Sequence, residues 1–212
     1  MSHHKNIMQN DLQKIYDRFA DTYENNRGLF DMSEVIADFF ERLPGPTGHL
    51  LDLGCGAGEP FPAWFIARGW QVTGVDFSSR MLEMAHRFQP HMKTVFADIR
   101  KVDFPDEQFD AVTLIYCLFH IEYEKHDDIF RKLHRWLKPG GKSLFTYATK
   151  EYTGADVFNG TKAFMGEQLF YSHTTPDNLY ADLKSIGFIL ESARYRCIGG
   201  ETFLWMTIAK PE

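Results

Sequence analysis

Three alternating glycines, Gly54, Gly56 and Gly58, follow the apolar segment "LLDL", which carries an aspartate, Asp52. Glycine permits a tight turn and lets backbone N–H groups approach a ligand closely. A strand, a glycine-rich turn and a helix in this order are typical of a nucleotide-like cofactor site, and three alternating glycines exceed what a simple turn requires. We therefore expect a cofactor to bind at this loop.

The loop departs from the pattern of a dinucleotide site. Such a site has a glycine or alanine three positions after the second glycine, where this chain has Glu59. A carboxylate there repels a pyrophosphate, so an NAD-linked oxidoreductase is the less favoured enzyme class. Asp52 instead suits a cofactor with positive charge, such as S-adenosylmethionine, which carries a sulfonium and an ammonium group and no phosphate.

Two further acids follow at the ends of predicted strands. Asp76 ends a strand roughly 20 residues beyond the glycine loop, where an acid accepts hydrogen bonds from a ribose. Asp98 ends the next strand and can accept from an exocyclic amine, with a turn cap as its alternative role. Phe77 and Met81 are placed to sandwich an adenine ring, and core packing is the competing role for both.

Four segments resemble, in order, the motifs of class I S-adenosylmethionine-dependent methyltransferases of the small-molecule type. "LDLGCGAGEP" resembles the glycine loop, "VTGVDFS" the ribose-binding strand end, "FADIRKVDFPDEQFD" the adenine-reading stretch and "LKPGGKSLFT" the turn into the fifth strand. The resemblance covers nearly all of residues 11–210. It implies S-adenosyl-L-methionine as the cofactor and methyl transfer as the activity.

The resemblance also implies roles for individual residues. In it Asp76 holds both ribose hydroxyls, while Asp98 and the backbone of Ile99 read the adenine. The predicted cofactor-binding set is Tyr16, Tyr23, Arg27, Asp52, Gly54, Gly56, Gly58, Asp76, Phe77, Met81, Asp98, Ile99 and Tyr116.

The N-terminal segment "IYDRFADTYENNRG" resembles the lid helix that closes over the cofactor in this family. In that interpretation Tyr16 and Tyr23 line the site and Arg27 pairs with the cofactor's carboxylate. The two tyrosines lie seven residues apart on one helix face. Packing of the helix on the sheet is an equally open role for them.

His120 is the predicted general base. It ends the most apolar predicted strand, residues 109–119, at the carboxyl edge of the sheet where ligands bind. Histidine titrates near neutral pH. Ordering the loop or capping the next helix are its alternative roles. A base is needed only when the acceptor must lose a proton, so methyl transfer does not depend on finding one.

The stretch "IYCLFHIEYEK" lacks the acceptor motifs of methyltransferases that modify macromolecules. It resembles neither the Asp/Asn-Pro-Pro-Tyr/Phe motif of DNA amino-methyltransferases nor the Pro-Cys motif of RNA cytosine enzymes. Glu122 and Glu124 lack the flanking pattern of arginine methyltransferases. The net charge is −6 and no basic stripe is present, so we expect a small-molecule acceptor and no nucleic-acid partner.

An aromatic-rich segment, residues 150–173, interrupts the alternation of strands and helices. It lies between the fifth strand and the following helix, so it can fold over the same edge as a cap. The predicted acceptor pocket is Phe158, Phe164, Tyr171 and His173, which indicates an apolar or aromatic acceptor. A small satellite core against the N-terminal helices is the alternative.

The elements that must position these residues alternate between strand and helix. This pattern predicts a Rossmann-like three-layer α/β sandwich with a mostly parallel, seven-stranded sheet. The last two predicted strands, 188–196 and 202–210, are close enough in sequence for a hairpin, which makes the last strand antiparallel. One domain, residues 1–212, is predicted in four parts: lid helices 1–43, a cofactor-binding core 49–149, a cap insertion 150–173 and a C-terminal part 174–212.

Composition narrows the remaining possibilities. No apolar run approaches the roughly 18 residues needed to span a bilayer, and the N-terminus lacks the apolar core of a signal peptide, so we expect a cytoplasmic protein without membrane contact. The three cysteines are far apart and show no metal-ligand spacing, which indicates reduced thiols and no metal site. A non-catalytic module that binds S-adenosylmethionine or a partner is the remaining alternative.

Overall fold

The computed structural model describes the backbone of residues 2–212 and the side chains from residue 12 onward, except that of Phe19. Strands and helices alternate through most of the chain. The strands are β1 (His49–Leu53), β2 (Gln71–Asp76), β3 (Lys93–Phe96), β4 (Phe109–Leu114), β5 (Leu137–Tyr147), β6 (Phe158–Phe164), β7 (Glu167–His173), β8 (Ile189–Ile198) and β9 (Glu201–Ala209). The α-helices are α1 (Ser2–Asn26), α2 (Ser33–Glu41), α3 (Phe61–Ile66), α4 (Ser79–Phe88), α5 (His126–Trp136), α6 (Lys150–Thr153) and α7 (Pro176–Ile186).

Seven strands form one sheet in the order β3-β2-β1-β4-β5-β9-β8. The pairs from β3 to β5 are parallel, and β9 is antiparallel to both of its neighbours. The predicted mostly parallel sheet with an antiparallel last strand is therefore confirmed. The strand order reverses between β1 and β4, and in open α/β sheets ligands bind at the carboxyl ends of the strands at such a point.

The sheet is covered on both faces, which makes three layers. Leu51 and Leu53 of β1 belong to an apolar cluster with α5 and α7, whereas Leu50 belongs to a cluster with α2 and α3. All three leucines are fully buried. Successive side chains of a strand point to opposite faces, so a parallel strand that is covered on both sides is apolar throughout.

The fourth strand is shorter than predicted. β4 ends at Leu114 and not at residue 119, because the chain turns away at Tyr116, whose φ is 55° and whose N–H donates to Thr146 Oγ1 at 2.7 Å. His120 therefore does not end the strand. It lies in a short 3-10 helix, Leu118–His120, in the loop beyond it.

The segment 150–173 contains α6 and an antiparallel hairpin, β6 and β7, which the sequence interpretation did not identify. Its two-residue turn is Met165-Gly166, and both residues have positive φ, as hairpin turns favour. Asparagine or aspartate is the usual signal at the first of these positions. Because methionine occupies that position, the sequence gives no clear signal for a hairpin turn.

The predicted lid segment, residues 1–43, contains the two helices α1 and α2, joined by a short 3-10 helix, Arg27–Leu29. The side chains of residues 1–11 and of Phe19 lie outside the described part of the chain. Within residues 2–212, no helix combines the length and the apolar character that crossing a membrane requires.

Candidate active site

A cavity of about 1000 Å³, including space open to solvent, lies at the carboxyl edge of β1, β2 and β4. We call it the main cavity. The loop after β1, the end of β2, the loop after β4 and helix α1 all contribute to its wall. It is lined by most of the predicted site residues, namely Tyr16, Tyr23, Gly54, Gly56, Asp76, Phe77, Met81, Asp98, Ile99, Tyr116 and His120.

The first two glycines of the loop have different surroundings. Gly54 has a close neighbour, and Gly56 faces open space. A Cβ atom on Gly54 would lie 2.7 Å from Cβ of Cys117, so the loop after β4 can approach only a glycine there. A Cβ atom on Gly56 would meet nothing nearer than Sδ of Met81 at 4.0 Å. Both Gly56 and Met81 line the main cavity. A side chain at position 56 would therefore extend into the cavity.

The third glycine, Gly58, does not line the cavity, and its predicted contact with a cofactor stays a prediction. A Cβ atom on Gly58 would lie 3.1 Å from Cγ of Gln89 and 3.3 Å from Cε of Met92. Its φ is 83°, a conformation that other residues rarely adopt. Gly58 therefore serves the turn and the packing against the segment between α4 and β3.

Asp76 joins the strand end to the glycine loop. Its carboxylate accepts hydrogen bonds from the Gly56 N–H at 2.9 Å and the Ser78 N–H at 2.8 Å. Burial raises the pKa of Asp76 to about 6, although these backbone hydrogen bonds oppose the shift. The Phe77 N–H is a third backbone donor. Three donors still leave acceptor capacity on the carboxylate, and Asp76 lines the main cavity. It is thus placed to accept hydrogen bonds from a ligand.

Asp52 lies beneath the loop and does not line the cavity, so its contact with a positively charged ligand stays a prediction. It is almost completely buried, and Thr113 Oγ1 donates to it at 2.5 Å. Burial raises the pKa of Asp52 to about 7. The hydrogen bond joins β1 to β4 directly below the glycine loop. Asp52 therefore acts on the position of the loop.

An ion-pair network that the sequence interpretation missed holds Asp98. The Arg100 guanidinium donates to both Asp98 carboxylate oxygens at 2.9–3.2 Å and reaches Glu122 at 3.4 Å. All three side chains line the main cavity. An arginine two residues after a strand-end acid is the signal that would have identified this pair.

Hydrogen bonds of Asp17 and Tyr16 hold helix α1 over the main cavity. Asp17 accepts hydrogen bonds from the Ser78 hydroxyl at 2.6 Å and the Arg80 N–H at 3.3 Å, at the N-terminus of α4. A carboxylate at this place satisfies helix N–H groups and is favoured by the helix dipole. The preceding residue, Tyr16, has its hydroxyl 3.0 Å from Nε2 of His120. His120 and the first residues of α4 therefore help to set the position of α1.

Arg27 does not line the main cavity, and this departs from its predicted role. Its guanidinium pairs with Glu24 and, at 2.5 Å, with Glu59. Glu59 is the residue whose charge disfavours a dinucleotide. Both ion pairs use Nη1 of Arg27, so they do not occupy the Nε and Nη2 donors of the guanidinium.

His120 is held in one orientation by hydrogen bonds to both ring nitrogens. A carbonyl oxygen accepts only, so Nδ1 carries the proton that it donates to the Phe170 carbonyl at 2.6 Å. Nε2 then accepts from the Tyr16 hydroxyl. Burial lowers the pKa of His120 to about 4. The imidazole is thus neutral at pH 7, and the expectation that it titrates near neutral pH is wrong.

A second cavity of about 320 Å³, including space open to solvent, adjoins the main cavity. We call it the aromatic chamber. Four side chains line both cavities: Tyr16, Tyr23, Tyr116 and His120. The rest of the chamber is formed by Phe30, Phe119, Phe164, Leu169, Tyr171, Glu201 and Phe203.

Two of the predicted acceptor-pocket residues, Phe164 and Tyr171, line the aromatic chamber. The other two, Phe158 and His173, line neither cavity, which corrects their assignment. They pair at the base of the β6–β7 hairpin, where their rings stack with centroids 6.2 Å apart. His173 is fully buried, 2.7 Å from the Thr153 hydroxyl.

Residues of the last strand were missed as site residues. β9 is antiparallel to β5, so its first residues lie at the carboxyl edge, where Glu201 and Phe203 reach the aromatic chamber. The predicted antiparallel last strand already implied this placement. The sequence interpretation considered only residues that follow parallel strands.

Residues 51–145 match a protein family described as "Methyltransferase domain". A 2-phytyl-1,4-naphtoquinone methyltransferase of Nostoc sp. is 34% identical over 155 residues, which cover 64% of this chain and 64% of that protein. A 27-O-demethylrifamycin SV methyltransferase of Amycolatopsis mediterranei is 30% identical over 155 residues, which cover 63% of this chain and 56% of that protein. The chain thus matches less than two thirds of the length of these relatives.

Solved structures share the fold. The crystal structure of the 1,6-didemethyltoxoflavin-N1-methyltransferase of Burkholderia thailandensis, with bound 1,6-didemethyltoxoflavin and S-adenosylhomocysteine, is similar with a TM-score of 0.73. It is 20% identical, and the superposition covers 100% of this chain and 90% of that one. At this identity the similarity concerns the fold.

Proposed function

We propose that this chain is a class I S-adenosylmethionine-dependent methyltransferase that transfers a methyl group from S-adenosylmethionine to a small molecule. One observation carries the proposal. The main cavity, which contains Gly56 and Asp76, meets the aromatic chamber at four shared side chains. A donor in the first space and an acceptor in the second would meet there.

The main cavity fits this cofactor. The open space in front of Gly56 admits a ligand close to the backbone, and Asp76 keeps acceptor capacity for ribose hydroxyls. Phe77, Met81 and Ile99 give an apolar wall for an adenine ring. When bound, S-adenosylmethionine supplies a methyl group already activated on a sulfonium.

The residues at the junction align the acceptor and exclude water, which is what displacement at an activated carbon requires. The Tyr116 hydroxyl is buried and has no hydrogen-bond partner among the described residues. A polar group of the ligand would satisfy it. Rings from Phe30, Phe164 and Phe203 keep the adjoining chamber apolar.

The chamber favours an acceptor with an aromatic or other planar ring. Its wall consists mainly of aromatic side chains, with which a planar ring stacks favourably. The relatives are named for a naphthoquinone and a rifamycin, and the structural neighbour binds a toxoflavin precursor. The net charge of −6 disfavours a nucleic-acid substrate.

Product formation separates this function from a module that only binds the cofactor. The protein is incubated with S-adenosylmethionine and a panel of hydroxylated naphthoquinones, phenols and aromatic amines, and S-adenosylhomocysteine is quantified. We expect at least one ring compound to raise S-adenosylhomocysteine above the level without acceptor. A panel in which no compound does so, with cofactor binding intact, favours the binding module.

Cofactor affinity should depend on pH through Asp76. Burial raises the pKa of this carboxyl group, and the charge of Asp17 adds to the rise. Its pKa of about 6 means that the carboxylate is charged above pH 6 and becomes neutral below it. We expect affinity for S-adenosylhomocysteine to fall by about tenfold between roughly pH 7 and pH 5, because about a tenth of the carboxyl groups stay ionised one unit below the pKa. Asp76→Asn should bind more weakly at pH 7 and lose this dependence in calorimetry.

Helix α1 should act as a lid over the cofactor. Tyr16 and Tyr23 line the main cavity, and the Tyr16 hydroxyl contacts His120 in the cavity wall. In hydrogen exchange we expect residues 12–26 to be better protected with S-adenosylhomocysteine than without it. Helix α7, which packs on the sheet away from the cavity, is the internal control. Equal protection of α1 in both states would mean that these tyrosines are only structural.

A further inference from the structure

We infer that Glu201 selects the methyl acceptor, and that the acceptor carries a basic nitrogen on or beside an aromatic ring. This inference rests on the proposed function and names its substrate class. Glu201 is the first residue of β9 and lines the aromatic chamber beside the four side chains shared with the main cavity.

Charge is distributed unevenly around the chamber. Among the described residues that line it, Glu201 is the one acidic side chain, and none is a lysine or arginine. The remaining wall is mostly aromatic, and the faces of aromatic rings attract cations. A carboxylate surrounded by such rings stabilises a cation more than it does a neutral ring of the same size.

The carboxylate of Glu201 is half-buried, and one hydrogen bond and one nearby cation act on it. Burial raises its pKa, while a hydrogen bond with Tyr152 and the charge of Lys162 lower it. The Lys162 ammonium donates to the Tyr152 backbone carbonyl and lies over the Tyr152 ring, 4.4 Å from its centroid. One hydrogen bond uses only part of the acceptor capacity of a carboxylate.

The negative charge of Glu201 acts across the whole chamber. It is one of the causes that raise the pKa of five tyrosines: Tyr16, Tyr23, Tyr116, Tyr152 and Tyr171. Tyr16, Tyr23 and Tyr116 are also the tyrosines at the junction of the two cavities. The field of Glu201 therefore reaches the place where the acceptor atom must lie.

Amine methylation matches this field. The ammonium form that Glu201 attracts first loses a proton to water, which leaves a neutral amine. The nitrogen lone pair of this amine then forms the new N–CH3 bond, the C–S bond breaks and its electron pair stays on sulfur. Positive charge thereby moves to the nitrogen. The carboxylate and the ring faces stabilise this charge as it develops, and catalysis needs interactions that strengthen towards the transition state.

Fragment binding tests the inference without the natural acceptor. Benzylamine and benzyltrimethylammonium are cations at pH 7.5, and benzyl alcohol is the neutral comparison of similar size. Ligand-observed NMR measures all three with the protein alone and with S-adenosylhomocysteine. We expect both cations to bind the unsubstituted protein at least about tenfold more tightly than the alcohol, which corresponds to about 1.4 kcal/mol.

Variants assign the preference to one carboxylate. Glu201→Gln should remove the preference, and Glu201→Asp should retain part of it. Glu191→Gln removes an equal charge from β8, where Glu191 pairs with Lys142, and should leave the preference unchanged. Thermal unfolding checks that each variant folds.

Two results overturn the inference: equal binding of cations and alcohol by the unsubstituted protein, or a preference that survives in Glu201→Gln. Binding of S-adenosylhomocysteine is measured on the same samples. If S-adenosylhomocysteine does not bind, the proposed function is contradicted. The preference for cations is measured separately, from fragment binding to the protein without S-adenosylhomocysteine. The two failures are therefore distinguishable.

Discussion

Gly56→Val is expected to abolish binding of S-adenosylhomocysteine in a protein that still folds. The new side chain would extend into the main cavity, because a Cβ atom there meets nothing nearer than Met81 Sδ at 4.0 Å. We expect the affinity to fall about a hundredfold or more, roughly 3 kcal/mol. Calorimetric titration measures this loss.

A matched control separates occupation of the cavity from backbone strain. Gly56 and Gly154 have φ values of 51° and 84°, and a Cβ atom on Gly154 would meet nothing within 4 Å. A non-glycine residue in this conformation costs about 1–2 kcal/mol of stability. Gly154→Val should therefore lose similar stability and keep its affinity. Normal binding by a folded Gly56→Val protein would contradict the assignment of the loop.

His120→Asn is expected to lower the turnover number by roughly a hundredfold or more while cofactor affinity changes little. The premise is that a proton of the acceptor reaches Nε2 of His120 through the Tyr16 hydroxyl, because Nε2 accepts from that hydroxyl and Nδ1 already carries a proton. The ring is neutral at pH 7 because burial lowers its pKa to about 4. Asparagine retains some hydrogen bonding to Tyr16 and Phe170, but it cannot accept a proton near neutral pH.

The pH profile and a second histidine sharpen this test. A base with a pKa of about 4 is lost only as the pH falls through 4, so its titration should not reduce the rate between about pH 8 and pH 5. His173→Asn removes a buried histidine outside both cavities and should leave turnover unchanged. If His120→Asn weakens cofactor binding and spares turnover, His120 only shapes the site, and alignment and desolvation supply the catalysis.

The sequence brings more of the predicted cofactor-binding residues to one cavity than it does of the predicted acceptor-pocket residues. Gly54, Gly56 and Asp76 line the main cavity because parallel strands end at one edge of the sheet, and local sequence marks those ends. Asp52 and Gly58 belong to the same motif but point into the protein. The orientation of Asp52 depends on the pairing of β1 with β4, where Thr113 donates to it. The surroundings of Gly58 depend on packing against Gln89 and Met92.

The acceptor half depends on contacts that are distant in sequence. The aromatic chamber combines residues of α1, of the loop after β4, of the β6–β7 hairpin and of β9. Composition alone cannot tell that Phe164 and Tyr171 reach it while Phe158 and His173 remain at the base of the hairpin. The register of a hairpin whose turn is Met165-Gly166 has no strong sequence signal.

Calorimetric titration of the unsubstituted protein with S-adenosylmethionine, and separately with NAD, tests the central claim most directly. The loop lacks the third small residue of a dinucleotide site, whereas Gly56, Asp76 and the apolar wall of the main cavity suit S-adenosylmethionine. The account predicts saturable binding of one S-adenosylmethionine per chain and no saturable binding of NAD. Saturable binding of NAD without binding of S-adenosylmethionine would contradict it.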